Sequence, residues 1–237
     1  MPVHKRRELE VKFRLGDDLS DSQSIEKKLT AAGFKYIDSR IETDFLPDTA
    51  NGDCKQKQLL FRIREVVTKQ SRLMLMTLKL RKTSSKFIDF QEIETSIPDT
   101  DRETFELIRS MLMDATGIAP DYSIIEASSL ADVRHILEEQ GYVKLRIYLD
   151  KFRKVFKLGK IVATIDYFPD GMGLFLELES YTPSDLKHAI ELLGLDDSTV
   201  ITTDYGDLLK NHKQDLPPKE QREAVFSHEQ SARLLTL

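Results

Sequence analysis

Past its first residues the chain alternates strictly between polar and apolar positions. In ELEVKFRL, Glu8, Glu10, Lys12 and Arg14 fall on one face and Leu9, Val11, Phe13 and Leu15 on the other, which is the period of a strand with two unlike faces. KYIDSRIETDFLPD reads as a further extended segment closed by a turn rich in Pro, Asp, Asn and Gly, and LLFRIREVV, RLMLMTLKLRK and FIDFQEIETSI follow as three more strands. Their short polar links, TKQS and TSSK, predict an antiparallel meander. VKLRIYLDKFRKVFKL, KIVATIDYF and GLFLELESY form a second strand set. Helical spacing marks SDSQSIEKKLTAAGF, with a stop at Gly33, then DTDRETFELIRSMLMDATG and SSLADVRHILEEQG, capped at Asp99 or Thr100 and at Ser129 and stopped at Gly117 and Gly141. SDLKHAIELLGL and TTDYGDLLKNHK are two more helices, and PPKEQREAVFSHEQSARLLTL predicts a terminal helix opened by proline. Strands and helices thus recur as two similar halves with no low-complexity linker between them.

The charges on these strands are grouped. Arg62 with Arg64, Lys79 with Arg81, and Lys151 with Arg153 are basic pairs at i and i+2; Glu8 with Glu10, Glu92 with Glu94, and Glu177 with Glu179 are acidic pairs, and Asp166 stands alone in TIDYF. A single strand of this kind is explained by a solvated outer face. Six strands with like charges in pairs and a seventh with a lone charge predict instead an α+β fold built on a closed eight-stranded antiparallel β-barrel, with charges lining a wet interior and apolar residues facing out under helices. Basic pairs suit a polyanion, since the guanidinium fork matches phosphate oxygens. Facing carboxylates repel unless protonated or bridged by a hard divalent cation, so Mg²⁺ or Mn²⁺ with a phosphate chain satisfies both sets. Lys144 and Arg146 lie on the opposite parity from Lys151 and Arg153 in one strand, so only one pair faces inward unless a bulge intervenes.

Composition narrows the picture. The chain has 237 residues, 40% hydrophobic and 32% charged, with a net charge of −5. That charge argues against a broad nucleic-acid surface. No apolar run is long enough for a membrane span and the N-terminal HKRR cluster lacks an apolar signal core, so the expected setting is cytoplasmic. Cys54 has no second thiol and reads as a bystander, the five histidines have no ligand spacing, and the Gly171–Gly173 run reads as a turn.

ELEVK resembles the ExExK signature of the CYTH family, the triphosphate tunnel metalloenzymes. The likeness continues through Arg62 and Arg64 (RxR), Lys79, Glu92 with Glu94, Lys151 and Arg153 ten and twelve residues after Gly141 (KxR), Asp166, and Glu177 with Glu179 (ExE). The spacing from Gly141 selects Lys151 and Arg153 over Lys144 and Arg146. The resemblance implies a tunnel domain over residues 1–210, followed by a helical extension over 211–237. It implies a triphosphate-containing small molecule as ligand, bound by Lys12, Arg62, Arg64, Lys79, Arg81, Lys151 and Arg153, and Mg²⁺ or Mn²⁺ held by Glu8, Glu10, Asp166, Glu177 and Glu179. Lys12 and Lys79 are the candidate proton donors, and Glu92 and Glu94 complete the charge balance. Two departures stand out. No basic residue precedes Tyr205 in ITTDYGDLL, and no arginine precedes the acidic pair in IDFQEIE. The expected activity is hydrolysis of tripolyphosphate or an organic triphosphate such as thiamine triphosphate, by a monomer or homodimer without membrane or nucleic-acid partners. An adenylyl cyclase of class IV type and a non-catalytic polyphosphate-binding module are the alternatives.

Overall fold

The computed structural model describes residues 6–82, 87–97 and 99–237; the TSSK link falls outside them, as does the start of the N-terminal HKRR cluster. Strict alternation gives β1 (Arg6–Gly16). It is followed by α1 (Ser22–Ala31), β2 (Lys35–Asp48), a single turn α2 (Asp53–Gln56), β3 (Leu59–Val67), β4 (Arg72–Lys82) and β5 (Ile88–Ile97). Then come α3 (Arg102–Thr116), α4 (Leu130–Glu139), β6 (Lys144–Leu158), β7 (Ile161–Phe168), β8 (Gly173–Ser180), α5 (Pro183–Leu193), α6 (Tyr205–His212), β9 (Glu223–Ala224) and α7 (His228–Leu234). Hydrogen-bonded neighbours run β2-β3-β4-β5-β1-β8-β7-β6, and β6 pairs back onto β2, so eight strands form a ring. Every pairing within it is antiparallel. Closure leaves these strands without a free edge along their paired lengths.

The ring is apolar outside. Phe61, Ile63, Met76, Leu78 and Ile93 point outward from β3, β4 and β5 into a core shared with Phe105, Ile108 and Leu112 of α3 and Val133 and Leu137 of α4. On the other flank Val11, Ile165, Leu176 and Leu178 of β1, β7 and β8 meet Ile25 and Leu29 of α1 and Leu186 and Ile190 of α5. Two helix pairs therefore cover two arcs of one ring, which accounts for the two-halves pattern. Because a strand's side chains alternate, burying these residues outward directs the charged set inward. The cap of α3 is Asp101, whose side chain accepts from the Thr104 amide, rather than Asp99 or Thr100. Ser129 caps α4 as expected.

The expected terminal helix does not form as one element. Residues 220–222 make a 3₁₀ turn, β9 pairs in parallel with Tyr148 and Leu149 of β6, and only His228–Leu234 is α-helical. The cause lies in β6, which pairs with β7 only from Phe152 onward and leaves the edge of its first half open. Backbone pairing there competes with helix, and three contacts hold it: Arg222 Nη1 donates to the Leu145 carbonyl at 3.2 Å, the Phe226 amide donates to Asp150 at 2.9 Å, and the Phe226 ring stacks on Tyr167. Among the described residues no helix is long and apolar enough to cross a membrane.

Candidate functional site

The ring encloses a cavity of about 340 Å³. Alternation and register decide its lining. β1 contributes Glu8, Glu10 and Lys12, β8 Glu177 and Glu179, β3 Arg62 and Arg64, β4 Lys79, β5 Glu92 and Glu94, and β6 Lys151 and Arg153. Register sets Lys12 beside Glu177, Glu10 beside Glu179 and Lys79 beside Glu92. Charges distant in sequence thus become cross-strand neighbours.

Two expected site residues lie elsewhere. Arg81 is exposed and outside the cavity lining. Asp166 is fully buried and also outside it, gripped by Arg153 through two hydrogen bonds of 2.6 Å and by the Tyr205 hydroxyl at 3.0 Å. It orients the guanidinium from behind. Of the competing pairs on β6, Lys151 and Arg153 line the cavity, whereas Arg146 donates to the Leu59 carbonyl at 3.1 Å. A register shift between Leu46 and Pro47 marks where the β2–β6 pairing is interrupted.

Sequence reasoning missed β2. Arg40, Glu42 and Asp44 line the cavity, alternating with Ile41, Thr43 and Phe45. The alternation was present, and Glu42 with Asp44 is a like-charged pair at i and i+2, but Arg40 on the same face mixes the signs. Glu42 is fully buried and draws four cations together: Arg40 and Arg64 at 2.8 Å, Lys151 at 3.1 Å and Arg153 at 3.8 Å. Burial alone would raise its pKa, but the Arg64, Arg153 and Lys151 charges hold it well below the usual carboxylate range. Asp44, partly buried, is held down by Arg64 and Lys151. Lys151 is pushed below the ordinary lysine value by burial and by the Arg153 and Arg64 charges. Tyr205, also absent from the expected lining, sits 5.0 Å below the Lys12 ammonium, ring centre to nitrogen.

The β1–β8 wall behaves differently. Lys12, 1% exposed, lies 3.0 Å from Glu177 and bonds to Glu10, and those carboxylates outweigh burial and raise its pKa. Glu177 is depressed, since the Lys12 and Arg153 charges overcome its burial. Glu10 and Glu179 are pushed up by burial, with the neighbouring carboxylates adding to it. Across the cavity Lys79 binds Glu8 at 2.7 Å and brings that carboxyl down to about 2 against its burial, while Glu92, buried and hydrogen-bonded to Glu8, is raised to about 7.

Arg62 is held loosely. Its ion pairs with Glu94 and Asp44 span 3.6 and 3.9 Å, and its buried Nε has no hydrogen-bond partner among the described residues. Long ion pairs leave this cavity-lining guanidinium free to turn its fork toward an anionic oxygen. For a cation, the donors on the β1–β8 wall are all carboxylate oxygens, the set that hard divalent ions prefer. Glu10 and Glu179, the two whose pKa values are raised, fit an added positive charge. Among the described residues no three such groups already converge on one point, because Lys12 stands between Glu10 and Glu177.

An eight-stranded antiparallel ring with a doubly charged interior and helices outside defines a tunnel-type fold. The sequence model of the CYTH domain matches residues 6–203, and the chain belongs to that family. Solved structures of the same fold include the PH1819 protein of Pyrococcus horikoshii OT3, at 19% identity and a TM-score of 0.60 over 86% of this chain and 99% of that one. A putative adenylate cyclase from Vibrio parahaemolyticus superposes with a TM-score of 0.61 at 17% identity, over 87% and 99%. The protein HpAC1 from Hippeastrum, described as a putative adenylyl cyclase with a dominant triphosphatase activity, gives 0.52 at 19% identity, over 90% and 99%. No curated protein matches the chain.

Proposed function

We propose that the chain is a divalent-metal-dependent triphosphatase that hydrolyses a triphosphate inside the tunnel. The observation that carries this reading is the cavity's charge layout. Its lining offers eight basic side chains and nine acidic ones, so a polyanion gains little from the protein's net charge and needs a cation with it. Separate walls make that workable: Arg62, Arg64, Lys151 and Arg153 face the phosphate oxygens, and Glu8, Glu10, Glu177 and Glu179 face the cation.

Phosphoryl transfer asks a protein mainly for positioning and charge stabilisation. Arg62 and Arg64, two residues apart on one strand face, span successive phosphates by charge-assisted hydrogen bonds. Arg153, fixed from behind by Asp166, is pre-aimed and loses little freedom on binding. Lys12 and Lys79 carry raised pKa values and so remain protonated at neutral pH, which suits them to neutralise a leaving phosphate oxygen more than to give it a proton. Lys151 is the basic side chain whose proton is loosened, and it sits between the Arg64 and Arg153 forks. A bound Mg²⁺ or Mn²⁺ would supply charge neutralisation and activation of water. Membership of a family that includes a dominant triphosphatase supports hydrolysis over cyclisation.

The test is product analysis after incubation with tripolyphosphate, thiamine triphosphate and ATP, each with Mg²⁺ or Mn²⁺. Phosphate or pyrophosphate release without cyclic nucleotide is expected. Cyclic AMP with pyrophosphate as the main products from ATP would replace the hydrolase reading with a cyclase.

A further inference from the structure

The two ends of the tunnel differ in what faces inward. At one end Leu46 of β2, Ile147 and Leu149 of β6, and Phe168 and Phe175 are buried against one another, and α6 lies over them with Gly206 so near Ile147 that a Cβ would come within 2.8 Å. An ordinary core closes that end. At the other end the inward row of β6 runs on from Lys151 and Arg153 through Val155 to Lys157, which is exposed. A register shift in β2 between Tyr36 and Asp38 sets Lys35 directly opposite Lys157. On its other side Lys157 pairs with Val162 of β7, a cavity-lining residue that pairs in turn with Glu179, and Lys160 in the Gly159–Lys160 turn also lines the cavity. One rung of the ring thus carries Lys35 and Lys157 up to the acidic wall, with Lys160 at its rim.

Exposed lysines alone say little. These three differ from the cations deeper in the tunnel in lacking a counter-ion: among the described residues none makes an ion pair or a side-chain hydrogen bond. The acidic groups beside them are engaged elsewhere. Glu179 reaches Arg153 at 3.8 Å, and Asp38, on the same face of β2 as Arg40, reaches that guanidinium at 3.3 Å. Like charges set directly opposite one another on paired strands are unfavourable, so the Lys35–Lys157 pair burdens the empty fold in a way that a bound anion would offset. An approaching polyanion also meets a chain of net charge −5. Over most of the surface it is repelled, and a local cluster of positive charge at the open mouth turns repulsion into capture over roughly a Debye length.

We propose that Lys35, Lys157 and Lys160 form an outer docking site for a polyanion, where a triphosphate chain is caught before it enters the tunnel from this end. The site acts on capture rather than on the bound state, because water-exposed rim charges set association rates while buried cations deeper in set dissociation. This inference rests on the reading of the tunnel as a triphosphate site, and the experiment separates the two. The probe is tripolyphosphate with methylene groups at both anhydride bridges, added with Mg²⁺ to the full chain at ionic strengths from about 0.02 to about 0.3 M. Titration calorimetry gives the affinity, phosphorus NMR line shapes give the dissociation rate, and the two together give the association rate.

In the triple variant Lys35→Gln, Lys157→Gln, Lys160→Gln the association rate at the lowest salt is expected to fall about tenfold and its dependence on ionic strength to flatten, with the dissociation rate kept within about twofold. A control variant removes the same charge from exposed lysines outside the ring, Lys55→Gln, Lys187→Gln and Lys219→Gln, and keeps the wild-type association rate within about twofold. Equal losses in the two triple variants, an unchanged association rate in the first, or a loss carried by faster dissociation would overturn the docking site while leaving the tunnel reading intact. Failure of the probe to bind the folded wild type overturns the tunnel reading and the docking site with it.

Discussion

The tunnel has two walls built from the same residue types, and they solve opposite problems. On β2, β3 and β6 the carboxylates Glu42 and Asp44 are outnumbered by Arg62, Arg64, Lys151 and Arg153, and both are held deep in the ionised state. On β1 and β8 Glu8 is paired with Lys79, while Glu10, Glu177 and Glu179 share Lys12 and one side of Arg153, and Glu10 and Glu179 are pushed up. The first wall keeps an excess of positive charge, with Arg64 and Arg153 held by ion pairs to Glu42, so it can present guanidinium groups to an anion. The second is short of positive charge and becomes comfortable only when a cation or a proton arrives. Burial is common to both; the ratio of cations to carboxylates decides the outcome.

The comparison breaks most visibly at Arg153, which touches both walls. Arg153→Ala leaves Asp166, Glu42 and Glu177 without their shared partner and is expected to cost about 3–5 kcal/mol in urea unfolding, the scale for removing one member of a buried ion network. Replacement of Glu179 acts in the other direction. Glu179→Gln removes a carboxyl whose ionised form is disfavoured by burial, so the metal-free protein keeps or raises its melting temperature while turnover falls about 100-fold, or about 2.7 kcal/mol of transition-state stabilisation. Loss of folding and activity together in Glu179→Gln would remove the distinction between the walls.

Arg62 sharpens the same contrast because its structural bonds are long. Arg62→Ala is expected to weaken binding of tripolyphosphate by ~1.5–3 kcal/mol, the usual worth of a hydrogen bond to a charged group, with little change in unfolding. Calorimetric titration decides, and unchanged affinity would return Arg62 to a purely structural role. The smallest effect is in pH. The Glu92 carboxyl is raised to about 7 by burial, so between pH ~4.5 and ~7 the folded chain binds more protons than the unfolded one, and stability of the metal-free protein falls as pH rises through that window. Glu92→Gln is expected to flatten the fall in stability over that range, read from urea unfolding at each pH. An unaltered slope would assign the dependence to Glu10 and Glu179, which are raised in the same direction.

Much of this was written in the alternation itself. Like-charged pairs at i and i+2 exposed the inward faces of β1, β3, β5, β6 and β8, and the apolar residues between them exposed the outward core. What alternation carries is a face, not a partner. Asp166 shared the inward parity, yet its position behind Arg153 depends on the β6–β7 register, which no local pattern encodes. Arg81 had the right parity but lies beyond the cavity. Glu42 and Asp44 form an acidic pair of the same i and i+2 kind but were passed over because Arg40 on the same face mixes the signs; their ion pairs with Arg64 and Lys151 make them the anchors of the basic wall. The C-terminal segment misled for another reason: its helical composition yields to an open strand edge on β6 that exists only in the assembled ring.

The central claim is that the acidic wall requires a cation before the tunnel can cleave a triphosphate chain. Phosphorus NMR of tripolyphosphate incubated with the chain tests it directly. With Mg²⁺ or Mn²⁺ the tripolyphosphate resonances should give way to those of phosphate and pyrophosphate, and excess EDTA should hold them unchanged. Equal conversion in EDTA, or intact tripolyphosphate with either metal, would contradict the account.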